Sequence, residues 1–242
     1  MGRRGLGFWP RAVAGLVKPT LTVWTRRTWT GMENLPADGR GVIVASNHVS
    51  HFDPLTCSHF IYDAGRWPQF LAKASVFKVP VIGWIITQCR QIPVERGSVE
   101  AARSLDKLVA ALKAGGTVVI YPEGTTTKEP GLWPMRGKTG VARLALATGA
   151  PVVPMAMWGP QDIFDPRSGK LSFRWRRPVS VTVGKPVDLS KWEGAAPTRA
   201  TLDEMTEAIM LEIRGLVAGL RQEEPPPLYR PGSGAAQTGG ES

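Results

Sequence analysis

Short apolar runs rich in β-branched residues alternate along this chain with segments of helical period, and that alternation limits the fold more than any other feature. Val42-Ile43-Val44-Ala45, Thr117-Val118-Val119-Ile120-Tyr121 and Val152 to Trp158 have the length and composition of buried strands. Between them, Ser98 can cap a helix in which Ala101, Leu105, Leu108, Val109 and Leu112 recur at helical spacing, with Gly115-Gly116 as its stop. A second helix around Thr139 to Thr148 ends at Gly149. Strands that alternate with helices must run mostly parallel, because each helix carries the chain back to the starting edge. The expected fold is therefore α/β, a single domain with a mostly parallel central sheet flanked by helices. Further on, Leu171 to Arg176 and Val179 to Val183 read as a strand pair, and Thr201 to Leu220 as a long helix with Leu202, Met205, Ile209 and Ile213 on one side.

The two ends differ from the middle. Arg3, Arg4, Arg11, Lys18, Arg26 and Arg27 all precede the first acidic residue, Glu33, and are interleaved with Phe8, Trp9, Trp24 and Trp29. Tryptophan beside arginine suits a membrane interface, where the ring lies at headgroup depth and the cation meets lipid phosphate. At about 100° per residue, Trp9, Val13, Leu16 and Val17 share one helical face while Arg11 and Lys18 point away, and Pro19 is expected to stop or kink the helix. Residues 1–28 are thus expected to form an N-terminal amphipathic, membrane-associating helical segment. A second basic and aromatic cluster runs from Arg167 to Arg177. From Glu223 the sequence is rich in Pro, Gly, Ser and Thr, which leaves 29–222 as the folded domain and 223–242 as a disordered tail.

Composition narrows the partners. Thirty Lys and Arg against 20 Asp and Glu give a formal charge of +10, which calls for an anionic partner. No recognition helix, zinc finger or RNA-binding signature is present, so nucleic acid is not expected, and an anionic membrane surface is. With only Cys57 and Cys89 there is no disulfide scaffold, and a reducing, cytoplasmic setting follows. No run of about 18 apolar residues occurs, so the expected location is the cytoplasmic face of the cell membrane, peripheral or monotopic.

The chemistry is carried by Asn47-His48-Val49-Ser50-His51-Phe52-Asp53, directly after the first strand. An imidazole with a pKa of about 6.5 takes a proton from an attacking hydroxyl near neutral pH if a carboxylate fixes its tautomer. His48 and Asp53 are the candidate base and its orienting acid. Glu123-Gly124-Thr125 follows another strand, where a glycine permits close approach of the backbone and hydroxyls offer hydrogen bonds. Ile92-Pro93-Val94-Glu95-Arg96 places an arginine after a third, and its fork geometry suits a phosphate.

In this order the segments resemble the glycerolipid acyltransferase family, and most closely its 1-acyl-sn-glycerol-3-phosphate (lysophosphatidic acid) acyltransferases, over roughly residues 30 to 190. The blocks are His48-x4-Asp53, Ile92 to Arg96, Tyr121 to Thr125, and Ala150-Pro151-Val152-Val153-Pro154. The resemblance implies that His48 is the catalytic base supported by Asp53. It also implies that Arg96, Glu123, Gly124 and Thr125 bind the acceptor, with Lys73 and Lys138 near substrate. Two positions depart from the family pattern: Thr126 stands where an arginine is usual, and Arg90 where a glycine often opens the arginine block. Both bear on which acceptor is used.

The expected activity is transfer of a fatty acyl group from an acyl thioester, of CoA or of acyl carrier protein, to the hydroxyl of a lysophospholipid acceptor. The expected acceptor is lysophosphatidic acid, giving phosphatidic acid. No cofactor beyond the thioester co-substrate and no metal is expected. Glycerol-3-phosphate, another lysophospholipid or a lyso-lipid without phosphate remain alternative acceptors. A metal-dependent hydrolase using His48, His51 and Asp53, and a non-catalytic membrane-binding module, are the rival readings. A thiolate leaving group with a conjugate-acid pKa of about 8 to 9 needs no strong general acid, so one histidine suffices for the transfer.

Overall fold

The computed structural model describes residues 6–94, 98–227 and 229, and of residues 98–104 only the backbone. Helix α1 (Phe8–Trp24) leads directly into strand β1 (Thr25–Thr30). There follow β2 (Val42–Ser46), α2 (Asp53–Asp63), β3 (Pro68–Lys73), the short α3 (Ala74–Phe77), α4 (Ile82–Gln88), β4 (Ile92–Val94), α5 (Ser98–Lys113), β5 (Thr117–Ile120), α6 (Gly140–Thr148), β6 (Val152–Trp158), β7 (Arg177–Val183) and α7 (Arg199–Arg221). The strands make one seven-stranded sheet in the order β1-β7-β6-β2-β5-β3-β4. All neighbours pair in parallel except β6 with β7.

The central strands are apolar throughout because both faces of the sheet are covered. All five residues of β2 are buried. Ile43 and Ala45 pack with Val118 and Val152 against α5, α6 and α7, through Leu108, Leu112, Val141, Leu144, Met205 and Ile209. Their neighbours Val42 and Val44 face the other way, toward Phe60 and Ile61 of α2. Each such side chain, fully buried, stabilises the fold by roughly 1.5 to 3 kcal/mol. Gly149 ends α6 in the left-handed conformation at φ +63°, the role its position in the sequence suggests.

One expectation is narrowed here and another corrected. Pro19 does not end the first helix but lies inside it. A prolyl ring fits a helical φ and forfeits one backbone bond, and the hydroxyls of Thr20 and Thr22 donate to the Leu16 and Lys18 carbonyls nearby. Residues 171–176 form no strand beside 179–183. β7 already has β1 on one side and β6 on the other, so no edge is left for them, and only Leu171 makes a bridge, to Phe164.

Helix α1 also presents two apolar faces rather than one. Pro10, Ala14 and Leu21 are buried, while Phe8, Trp9, Leu16 and Val23 are exposed. Lys18 pairs with Asp63 of α2 at 2.6 Å, and the boundary expected at residues 28 and 29 falls within β1. Most of the tail expected to be disordered lies outside the described residues. Its described part is tied to the body: the Arg214 guanidinium donates to the Pro225 carbonyl, and Met135 bridges Tyr229. Among the described residues no helix is long and apolar enough to cross a membrane.

Candidate active site

Because β2, β5, β3 and β4 are mutually parallel, their carboxyl ends gather along one edge of the sheet, the edge where ligands bind in folds of this class. His48 lies two residues past β2, Glu123 to Thr125 just past β5, and Lys73 closes β3. The turn that delivers His48 is held by Asn47. Its side-chain amide donates to the Met157 carbonyl at 3.0 Å and its side-chain oxygen accepts from the Met157 amide at 2.9 Å, prolonging the sheet pairing after β2 ends. Sequence reasoning gave Asn47 no task; an amide closing a wholly apolar run is the signal that was there to read.

His48 Nδ1 lies 2.8 Å from Asp53 Oδ2, which also accepts from the amides of Val49 at 2.6 Å and Ser50 at 2.9 Å. Asp53 is fully buried at the start of α2, with Pro54 behind it. Burial pushes the Asp53 carboxyl above its ordinary value, and the hydrogen bonds from His48, Ser50 and Val49 work against that rise. The chain between the two residues is fixed as well, since Ser50 Oγ donates to the Phe164 carbonyl at 2.6 Å. The His48 ring stacks on the Tyr121 ring at 4.2 Å and 18°, a contact the sequence alone did not announce although Tyr121 stood in the motif.

Glu123 is buried, and both of its carboxyl oxygens are occupied by backbone. Oε1 accepts from the His48 amide and Oε2 from the Met135 amide, each at 3.0 Å. Burial drives its pKa up to about 8, against the pull of the two amides. Thr127 completes the link, its amide donating to the His48 carbonyl at 2.7 Å. The backbone of His48 is therefore clamped from β5's loop on both its N–H and its C=O.

In front of His48 opens a cavity of about 390 Å³, lined also by Lys73, Phe70, Val94, Tyr121 and Gly124. Gly124 has φ +72°, a backbone conformation that favours glycine, and the flexible end of the Lys138 side chain lies beside it, Nζ 2.8 Å from where a Cβ would stand. Lys138 and Thr125 lie on the far side of this turn, in a second cavity. Thus His48, Asp53, Lys73 and Gly124 come together, with Thr125 and Lys138 behind the turn. Arg96 lies outside the described residues, two positions beyond Val94 of β4. Arg90, where the family pattern suggests glycine, adopts the left-handed φ of +58°.

The His48 and His51 rings meet edge to face at 6.3 Å, while His59 stands apart from them. His51 is exposed beside Phe164, and His59 is buried against Arg27, which lies 3.0 Å from its Nε2. Burial lowers the His59 pKa to about 4, Asp63 opposing and Arg27 and Lys18 adding to the drop. Among the described residues no group of three or more His, Cys, Asp or Glu side chains is placed to hold a metal ion.

A sequence profile for the family described as Acyltransferase matches residues 26–158. The chain is 31% identical over 193 residues to a 1-acyl-sn-glycerol-3-phosphate acyltransferase of Bacillus subtilis, covering 78% of this chain and 87% of that protein. It is 32% identical over 162 residues to the chloroplastic 1-acyl-sn-glycerol-3-phosphate acyltransferase BAT2 of Brassica napus, covering 66% of this chain. This chain spans only 45% of the Brassica protein's length. In fold it is similar to the crystal structure of the 1-acyl-sn-glycerophosphate (LPA) acyltransferase PlsC from Thermotoga maritima, with a TM-score of 0.66, 24% identity, and coverage of 90% of this chain and 81% of that one.

Proposed function

This chain belongs to the acyltransferase family, and from that premise we propose that it transfers a fatty acyl group from an acyl thioester to the free hydroxyl of lysophosphatidic acid. The observation that carries the reading is the His48 and Asp53 pair, with His48 lining an open cavity at the carboxyl edge of the sheet. With Nδ1 committed to a buried carboxylate, the lone pair sits on Nε2, the atom left to take the acceptor's proton. The hydroxyl oxygen then attacks the thioester carbonyl, the C–S bond breaks, and the thiolate leaves. Asp53 steadies the imidazolium in the interval, the part such a carboxylate plays in hydrolytic triads.

Lys73 faces the same cavity and supplies a cation for the acceptor's phosphate, in company with Arg96. Glu123 contributes by position: it ties the His48 amide to the Met135 amide and so fixes the backbone that carries the His48 ring. No side chain is required as general acid, given the thiol's low pKa.

The lipid substrates are drawn from a membrane surface. Supporting this, Phe8 and Leu16 of α1 are about three-quarters exposed, at 73% and 74%, as is Phe173 at 78%. At one end of α1 the Trp9 ring meets Trp84 of α4 at 4.5 Å, and at the other Trp24 stacks on Phe173 at 6.0 Å. These residues and the nearby cations of the +10 chain suit a peripheral contact with anionic lipid on the cytoplasmic side.

The test is a panel of acceptors offered with palmitoyl-CoA or palmitoyl carrier protein, with product lipids separated and identified. Phosphatidic acid is expected from lysophosphatidic acid in preference to products from glycerol-3-phosphate or from lyso-lipids without phosphate. Preference for an acceptor without phosphate would contradict the acceptor assignment; free fatty acid with no acylated lipid would contradict transfer altogether.

A further inference from the structure

The second cavity, behind the Glu123 to Thr125 turn, has a volume of about 560 Å³ and a lining unlike the first. Four cations reach it: Lys128, Arg136, Lys138 and Arg199. Of the two carboxylates there, Asp203 is shared between Arg199 at 2.8 Å and Arg136 at 3.8 Å, and Glu123 is occupied by the His48 and Met135 amides. Among the described residues neither Lys128 nor Lys138 forms an ion pair. Thr139, which also lines the cavity, is the N-cap of α6 and its side chain makes no capping bond, so the positive end of that helix adds to the field. With Arg136 and Arg199 sharing Asp203, Lys128 and Lys138 are left to make the lining net positive, and a cavity of this size admits an anion of several atoms.

The proposed reaction has two phosphate-bearing substrates. In lysophosphatidic acid the phosphate is attached to the carbon next to the one bearing the hydroxyl, so it must lie close to His48, in the cavity that Lys73 lines. The donor's phosphates are different. They stand at the far end of a pantetheine arm, well away from the thioester, and need a site separate from the reacting atoms.

We propose that the basin formed by Lys128, Arg136, Lys138 and Arg199 binds the phosphate groups of the acyl donor. This rests on the function proposed above and adds the location of the donor to it. The shared chemistry is a phosphate ester: on the nucleotide and pyrophosphate of CoA, or on the phosphopantetheine of a carrier protein.

The experiment compares the unsubstituted protein with a Lys128→Ala, Arg136→Ala double variant, both positions being exposed, on three donors: acyl-CoA, acyl carrier protein, and acyl-pantetheine, which has no phosphate. A charge-assisted contact at an exposed site is worth on the order of a tenfold change. The double variant is expected to raise the KM for acyl-CoA at least about tenfold, with the KM for lysophosphatidic acid and the turnover of acyl-pantetheine unchanged. An equal rise for acyl carrier protein places its single phosphate in the basin; a rise confined to acyl-CoA places the nucleotide phosphates there. A rise in the KM for lysophosphatidic acid alone, an equal loss with acyl-pantetheine, or no change for either phosphate-bearing donor overturns the donor site while leaving the function standing. Absence of transfer by the unsubstituted protein overturns both.

Discussion

At the scale of single residues, the site divides into groups aimed at substrate and groups aimed at those groups. Asp53→Asn keeps the size of the side chain but presents no obligate acceptor to His48 Nδ1, so the ring can settle in the wrong tautomer. Turnover should fall by at least about 10², with KM values little changed, in steady-state kinetics. Glu123 gives a different signature. Its carboxyl titrates at an ordinary 4.5 when unfolded and at about 8 when folded. Between those values the folded chain holds the proton that the unfolded chain has released, so this group's contribution to stability is full below about pH 4.5 and is lost as pH rises through 8. Denaturant unfolding across pH 5 to 8 should therefore show a shallower decline for Glu123→Gln than for the unsubstituted protein. His59, with its pKa lowered to about 4, tilts both proteins the opposite way below about pH 6.5 and cancels in the difference. An unchanged slope would place the carboxyl among ordinary exposed ones. The His48 and Asp53 partnership was legible in the sequence because five residues of chain carry both across one strand-to-helix turn. The clamp by Glu123 was not, since which atoms a carboxylate meets depends on how a loop 75 residues away folds back.

Among elements, legibility tracked burial. Strands β2, β5 and β6 are covered on both faces and wrote themselves as unbroken apolar runs. Strand β1, Thr-Arg-Arg-Thr-Trp-Thr, escaped notice because it is the sheet's edge and only alternate residues turn inward. The first helix was legible as a helix, but that it carries one apolar face inward and another outward could not be told without knowing where β1 leads it. Two substitutions separate those faces. Leu21→Ala, at a position 4% exposed, should cost about 2 to 5 kcal/mol in denaturant unfolding. Phe8→Ser with Leu16→Ser should leave stability nearly unchanged and weaken sedimentation with anionic liposomes. Retention of full liposome binding by that double variant would move the membrane contact to Phe173 and Trp175.

Across the whole molecule, two cavities meet at the Glu123 to Thr125 turn, one lined by His48 and Lys73 and the other by Lys128, Arg136, Lys138 and Arg199, and we assign one to each co-substrate. Parallel strands gather their carboxyl ends on one edge, which is why segments near residues 48, 73 and 123 meet although long stretches of chain separate them. The fold and the family were legible from alternation and from motif order; the second cavity was not, because its cations come from the long β5–α6 loop and, much further along the chain, from the start of α7, with no common motif. If the overall charge of +10 draws the protein to anionic surfaces as proposed, added salt is expected to weaken that binding, since the Debye length is only about 8 Å at physiological ionic strength. The most direct measurement is the rate of phosphatidic acid formation from acyl-CoA and lysophosphatidic acid by purified full-length protein and by its His48→Ala variant, with matched unfolding curves. Rapid formation by the unsubstituted chain and a loss of at least about 10² in the variant is the predicted result; a folded His48→Ala variant that makes phosphatidic acid at an undiminished rate would contradict it.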